Sequence, residues 1–150
     1  MLSQSSRRTM ALVAAMVLVT AAPELARAAT VPVRVRIIKG ARQGPPAMDP
    51  RLADLRGQLA RLVYARWEEV GEHRAAMTPG KPLSFPLPDG STLELTLVGA
   101  HKDTVTFEIK VSEHRTRSRL TISKDQRIVH QVLDERKGEA YFATIRPWPS

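Results

Sequence analysis

Two stretches in the second half of the chain alternate strictly between apolar and polar side chains. In TLELTLV, Leu93, Leu95 and Leu97 take one parity, while Thr92, Glu94 and Thr96 take the other. In TVTFEIKV, Val105, Phe107, Ile109 and Val111 alternate with Thr106, Glu108 and Lys110. A period of two puts each set on its own face of a strand, so both stretches read as half-buried β-strands. GAHKD, from Gly99 to Asp103, is the turn between them. Upstream, Pro88-Asp89-Gly90 separates two apolar runs: Pro fixes φ and Gly accepts a positive φ, which marks a turn. Downstream, RSRLTIS, RIVHQVL and AYFATI give three more short strands, divided by SKDQ and DERKGE. Short strands at nearly even spacing suggest a sandwich or small barrel.

The preceding region is more mixed. VPVRVRII (31–38) alternates Val31, Val33, Val35 and Ile37 with Pro32, Arg34 and Arg36, and reads as a strand with Pro at its entry. KGARQGPPAM (39–48) reads as a loop from its Gly and Pro content. DPRLADLRGQLARLV follows, with Asp49 suited to an N-cap and Pro50 to the first helical position. Leu52, Leu55, Leu59, Leu62 and Val63 share one helical face, which predicts an amphipathic helix laid on a sheet, weakened at Gly57. Tyr64–Met77 fits either a continued helix or a strand; Tyr64, Trp67 and Val70 before Gly71 favour a strand beginning near Tyr64 or Arg66. The expected fold class is α+β, mostly β: a strand, one amphipathic helix, then a sandwich-like antiparallel body of about six or seven strands.

The opening stretch follows a different logic. Arg7 and Arg8 precede an uncharged, mostly apolar run from Met10 to Thr20, and Ala26-Arg27-Ala28 follows. Positive, then apolar, then small-x-small is the order of a secretory signal peptide, with cleavage expected between Ala28 and Ala29. The apolar run is shorter than the roughly 20 residues a spanning helix needs. Ser6-Arg7-Arg8-Thr9-Met10 resembles a twin-arginine export motif without the usual Phe-Leu, so the general secretory and twin-arginine routes both remain open. Residues 1–28 are therefore expected to be a signal peptide and 29–150 one domain, in the periplasm or outside the cell, with no transmembrane segment in the mature form. The chain has no cysteine, which excludes disulfides, thiolate nucleophiles and thiolate metal sites. The net charge of +8 stays positive without the opening stretch, which holds three arginines and one glutamate. A basic exported chain meets anionic lipids and cell-wall polymers.

The helix start Asp49-Pro50-Arg51-Leu52-x-x-Leu55, then Leu59 and Tyr64, and the later Leu87-Pro88-Asp89-Gly90-x-x-Leu93, resemble a group of small exported bacterial proteins. That resemblance implies a signal peptide, one short helix and a β-rich body, and carries no function.

Candidate chemistry is sparse. His73, His101, His114 and His130 form no i,i+4 or His-x-His pair, so no metal site is expected and no cofactor is implied. Glu68, Glu69 and Glu72 cluster beside Trp67, but Glu68 and Glu69 alternate in face on a strand, which reads as a solvated charged segment rather than a catalytic carboxylate pair. No nucleophile elbow, P-loop or dinucleotide fingerprint appears. Arg115, Arg117 and Arg119 alternate in HRTRSRLTIS and line one strand face, with Lys124, Arg127, Arg136 and Lys137 at the following turns and Arg34 and Arg36 as a second pair. Such a row grips phosphate or carboxylate, or simply keeps an exposed strand from aggregating. Nucleic acid is a poor fit without interleaved aromatics. Tyr141, Phe142, Ile145 and Trp148 crowd the C-terminus, as core or as an aromatic anchor for a partner. The expected function is a non-enzymatic exported binding or assembly module of an envelope complex. The binding residues are Arg115, Arg117, Arg119, Tyr141, Phe142 and Trp148. The alternative is a binder of anionic envelope polymers or lipids through the basic strand face.

Overall fold

The computed structural model describes residues 30–112, 114, 116–123 and 125–147, with the backbone alone at Thr116. The expected signal peptide with its Ala28–Ala29 cleavage site, Arg115, Lys124 and Trp148 lie outside the described residues. Nine strands appear among the described residues: β1 (Val31–Ala41), β2 (Ala47–Met48), β3 (Arg66–Met77), β4 (Leu83–Pro86), β5 (Thr92–His101), β6 (Thr104–Val111), β7 (Thr116–Ser123), β8 (Ile128–Arg136) and β9 (Glu139–Pro147). They form a five-stranded sheet in the order β2-β3-β1-β9-β8 and a four-stranded sheet in the order β4-β5-β6-β7. Every pairing is antiparallel except β2 with β3. The first and last strands are hydrogen-bonded neighbours inside the larger sheet, so the fold is closed by a contact between its two ends.

The inward parity of each sheet fills one common core. Val33, Val35 and Ile37 of β1 and Ala143 and Ile145 of β9 meet Leu93, Leu95 and Leu97 of β5 and Val105, Phe107, Ile109 and Val111 of β6. These are the alternating positions of the sequence, and on β5 and β6 the polar positions between them face away from this core. The expected turn after Leu87 is present: the Gly90 amide donates to the Leu87 carbonyl at 3.0 Å, and Gly90 takes φ 87°.

The larger sheet is covered on its other face as well, by a second cluster of Ile38, Leu52, Leu55, Leu59, Trp67, Ala140 and Phe142. The covering segment differs from the expected helix over 49–63. It is a 3₁₀ turn, Pro50–Leu55, followed by a single α-turn, Arg56–Leu59 (α1). Its start matches expectation: Pro50 occupies the first turn, and the Asp49 carboxylate accepts the Arg51 amide at 3.0 Å. The leucine spacing is compatible with this winding. Leu52 and Leu55 lie three apart, the repeat of a 3₁₀ turn, and Leu59 follows four on, the repeat of an α-turn. Leu62 and Val63, expected on the same apolar stripe, lie past the end of the helical segment and are exposed.

A further departure from expectation arises at the C-terminal end of β1. The strand runs through Lys39, Gly40 and Ala41, which sequence assigned to a loop. Gly40 belongs there because it lies beneath an aromatic cluster: a Cβ at this position would sit 2.9 Å from both Trp67 Cζ3 and Tyr64 Cγ. Absence of a side chain lets the rings approach the sheet backbone.

Tyr64–Met77 resolves as the strand that its aromatics favoured, with one irregularity. Ile37 pairs with Gly71 and Ile38 with Glu69, leaving Val70 as an extra residue in β3. Three residues apart on a regular strand, Glu69 and Glu72 would face opposite ways. The bulge brings both to the side of the sheet that carries Arg34 and Arg36. Arg34 Nε donates to Glu72 at 2.8 Å, and Arg36 Nε to Glu69 at 2.6 Å. Arg36 Nη1 also reaches both Asp54 oxygens at 3.0 and 2.9 Å, and Nη2 donates to the Arg51 carbonyl. Arg36 and Glu69 are each 4% exposed. The reading of Glu69 as solvated, and of Arg36 as half of an outward-facing basic pair, is corrected here. The cap segment closes over both and supplies Asp54 as a third partner. Burial works against the Arg36 charge, but the hydrogen bonds it donates to Glu69 and Asp54 outweigh it and raise its pKa.

Two stability outcomes follow from this packing. Arg36→Met removes the closest partner of the buried Glu69, leaving the longer 3.6 Å contact with Arg51, and should cost about 3–5 kcal/mol in urea unfolding; Arg36→Met with Glu69→Leu should recover most of that. Full loss persisting in the double variant would mean that the ion pair is not the source. Gly40→Ala forces a methyl against two rings and should cost about 1–3 kcal/mol in the same assay.

Candidate functional site

The basic strand is an edge. β7 pairs with β6, and no other strand lies beside it among the described residues. Its inward positions Leu120 and Ile122 pack on the core, which turns Arg117 and Arg119 outward, with 66% and 65% of their side chains exposed. The register decides what surrounds them. Arg117 stands opposite Lys110 and Arg119 opposite Glu108 on β6, while β5 places Glu94 beside Lys110 and Thr96 beside Glu108. Glu108 lies 3.2 Å from Arg117 Nε and 3.8 Å from Arg119 Nη2, so one carboxylate is shared by both guanidiniums. Exposed pairs of this kind contribute at most about 1 kcal/mol and leave the remaining guanidinium donors open to solvent. The face is thus a mixed-charge lattice with an excess of positive charge toward Lys110 and Arg117.

The C-terminal aromatics divide between the two cores. Phe142 is 4% exposed and packs with Tyr64 and Trp67, ring centroids 5.6 and 5.4 Å away. Its assignment to an exposed contact surface is corrected: β9 is an interior strand, and Phe142 lies under the helical cap. Tyr141 has the opposite parity and packs, half-buried, against the main core, where Ile145 is also buried. The structure brings Tyr141 and Phe142 next to neither Arg117 nor Arg119: the aromatics belong to the five-stranded sheet and the arginines to the free edge of the other.

Tyr141 marks a feature missed by the sequence reading. A groove of about 660 Å³ opens between the two sheets, with Lys39, Glu68, Val70, His73, Leu87 and Tyr141 among its walls. Lys39 Nζ lies 3.1 Å from Glu139 Oε1, and that hydrogen bond raises the lysine pKa, holding the amine charged rather than nucleophilic. The signal was present in β1. After Val33, Val35 and Ile37, the next inward position is Lys39, and a lysine at that parity shows where the shared core ends.

No group of three His, Asp or Glu residues that could hold a metal occurs among the described residues, and none of their helices is long and apolar enough to cross a membrane. His114 Nε2 contacts Asp89 at 3.1 Å, and His73 stacks on Phe85 at 5.0 Å. Three separate comparisons, with protein-family models, with curated proteins and with solved structures, find no match to this chain. The resemblance noted from the helix start and the Pro-Asp-Gly turn therefore rests on those two local motifs.

His130 supplies a test of the packing at the outer edge of the larger sheet. It sits on β8 opposite Ala143, half-buried, and burial lowers its pKa from the ordinary 6.5. The unfolded chain therefore binds a proton before the folded one does. Stability should fall as pH drops through 6.5 toward the depressed folded value, and His130→Leu should remove that slope in pH-dependent thermal unfolding. The steeper loss at lower pH should persist in the variant. It comes from Asp49, held down by Arg51, from Glu72, held down first by Arg34, and from Asp89, where burial is outweighed by hydrogen bonds from Ser91 and His114. An unchanged slope near pH 6 in His130→Leu would place the titrating group elsewhere.

Proposed function

We propose that this protein is an exported, non-enzymatic binding module that receives an extended segment of an envelope protein along the free edge of β7. The observation that carries this reading is the edge itself: eight residues of strand, Thr116–Ser123, with hydrogen-bonding groups unclaimed by any second strand among the described residues. An edge of that length is a template for strand addition, in which main-chain hydrogen bonds supply affinity and flanking side chains supply selectivity. Arg117 and Arg119 select a partner segment with acidic or polar residues on its outward parity. The order of charge in the opening 28 residues supports export, and the periplasm or the medium is then the place of encounter.

A second reading, capture of anionic envelope polymers or lipids by the same arginines, has one observation in its favour, the excess of positive charge at Lys110 and Arg117. Glu108 counts against it, because a polyanion must compete with a carboxylate already shared by both arginines.

Salt separates the two readings. The chain from Ala29 to Ser150 is used as bait in a native envelope extract at low and high ionic strength. Strand addition predicts a discrete protein retained at high salt, with slowed amide hydrogen exchange along residues 117–123 in the complex. Polymer capture predicts material held at low salt only and lost in Arg117→Glu. A retained protein that leaves β7 exchange unchanged would overturn the proposed surface.

A further inference from the structure

A different edge carries its own instruction. On its outer side, β3 is paired by β2 only at Arg66 and Trp67. The next outward groups are closed by side chains: the Glu69 amide donates to Asp49 Oδ2 at 3.1 Å, and the Glu69 carbonyl accepts from Arg51 Nη2 at 3.0 Å. The bulge at Val70 ends this sealed region. From Val70 to Met77, no strand among the described residues covers the edge.

We propose that this open edge pairs with the same edge of a second copy of the chain, antiparallel and centred on His73. A two-fold axis through that point sets Glu72 opposite Arg74 of the other copy, Arg74 opposite Glu72, Gly71 opposite Ala75, and Val70 opposite Ala76. Both charges lie on the face that carries Arg34, and Glu72 Oε1 already accepts from Arg34 at 2.8 Å and from Arg74 at 3.0 Å. Pairing extends this arrangement across the axis twice, once for each copy. Opposite charges placed directly across a strand pair stabilise it, and like charges destabilise it. The small residues Gly71 and Ala75 leave room on the inward face, and Val70, 40% exposed, gains cover. An isologous contact of this kind is self-limiting, because it consumes the edge that makes it. The edge of β7 cannot do the same: TRSRLTIS contains no acidic residue to set against its arginines. The proposal stands apart from the partner reading of β7 and needs neither export nor an envelope protein.

The chain has no cysteine, so a single introduced thiol reports the axis cleanly. Directly opposed residues in an antiparallel pair have Cα atoms about 4.5–5.5 Å apart, within the span of a disulfide. In purified protein, His73→Cys should form a disulfide-linked dimer under mild oxidation, whereas Val98→Cys, exposed on β5, should not. In sedimentation equilibrium, the wild-type mass should double with rising concentration. Glu72→Arg should raise the dissociation constant at least about tenfold by placing arginine against arginine, and Glu72→Arg with Arg74→Glu should restore it. A chain that stays monomeric, a dimer indifferent to Glu72→Arg, or equal cross-linking at Val98→Cys would overturn the proposal. Circular dichroism checks the folding of the charge variants, and the cross-link decides the matter independently if one of them fails to fold.

Discussion

A guanidinium covered by an apolar cap must be neutralised where it stands, and the geometry around Arg36 follows from that requirement. The sheet offers one partner, Glu69, and the cap offers Asp54 and the Arg51 carbonyl. Because the partners come from both elements, the cap can sit in only one position relative to the sheet. Hydrophobic contact alone is non-directional and would let Leu52, Leu55 and Leu59 slide over Ile38 and Phe142. The ion cluster gives that contact a register. Its reach continues through Arg51 and Asp49, which tie the start of the cap to the edge of β3 at Glu69. In energetic terms such a cluster is near balance, since desolvation opposes attraction, and its value lies in what it forbids.

The cluster depends in turn on a single extra residue. Without the bulge at Val70, Glu69 and Glu72 could not share a face, and either Arg36 or Arg34 would lose its carboxylate partner on β3. The same bulge ends the sealed part of the β3 edge and begins the open part. One backbone irregularity therefore fixes the cap at one end of the strand and leaves a free, charge-alternating edge at the other.

Those dependencies explain which parts of the molecule were legible in the sequence. The main core was readable because β-alternation is a local signal: Leu93, Leu95, Leu97, Val105, Phe107, Ile109 and Val111 declare their face by parity alone. The cap start was readable for the same reason, since Asp49 and Pro50 act within a few residues. The end of the cap was not. Leucines spaced three and then four apart suit a long helix as well as a 3₁₀ turn joined to one α-turn, and the early return of the chain as β3 decides between them. Arg36 and Glu69 were misread as solvated because a strand that alternates Val and Arg is the usual pattern of a sheet with one wet face. Here the second face is covered over part of its area by a distant segment, and nothing local to β1 records that. Gly40 was misread as loop for a related reason: its neighbours are Gly- and Pro-rich in sequence, while Trp67 and Tyr64, which require its missing side chain, are more than twenty residues away.

The same contrast between local and distant signals bears on the surfaces. Arg117 and Arg119 are visible in sequence as a basic row, but Glu108, which tempers them, comes from the neighbouring strand and is visible only through register. Glu72 and Arg74 look like an ordinary solvated pair until the ends of β2 and the bulge show that no strand among the described residues covers one side of their strand. Charge on an edge strand usually discourages pairing, because two copies bring like charges together. That holds for β7, whose charges are all of one sign. It fails for β3, where the signs alternate about His73 and the repulsive register is the one that misaligns the two copies. Among the described residues, these two edges thus differ in their charge pattern. Like charges on β7 oppose pairing with its own copy, whereas the alternating charges on β3 favour the self-pairing proposed above in one register.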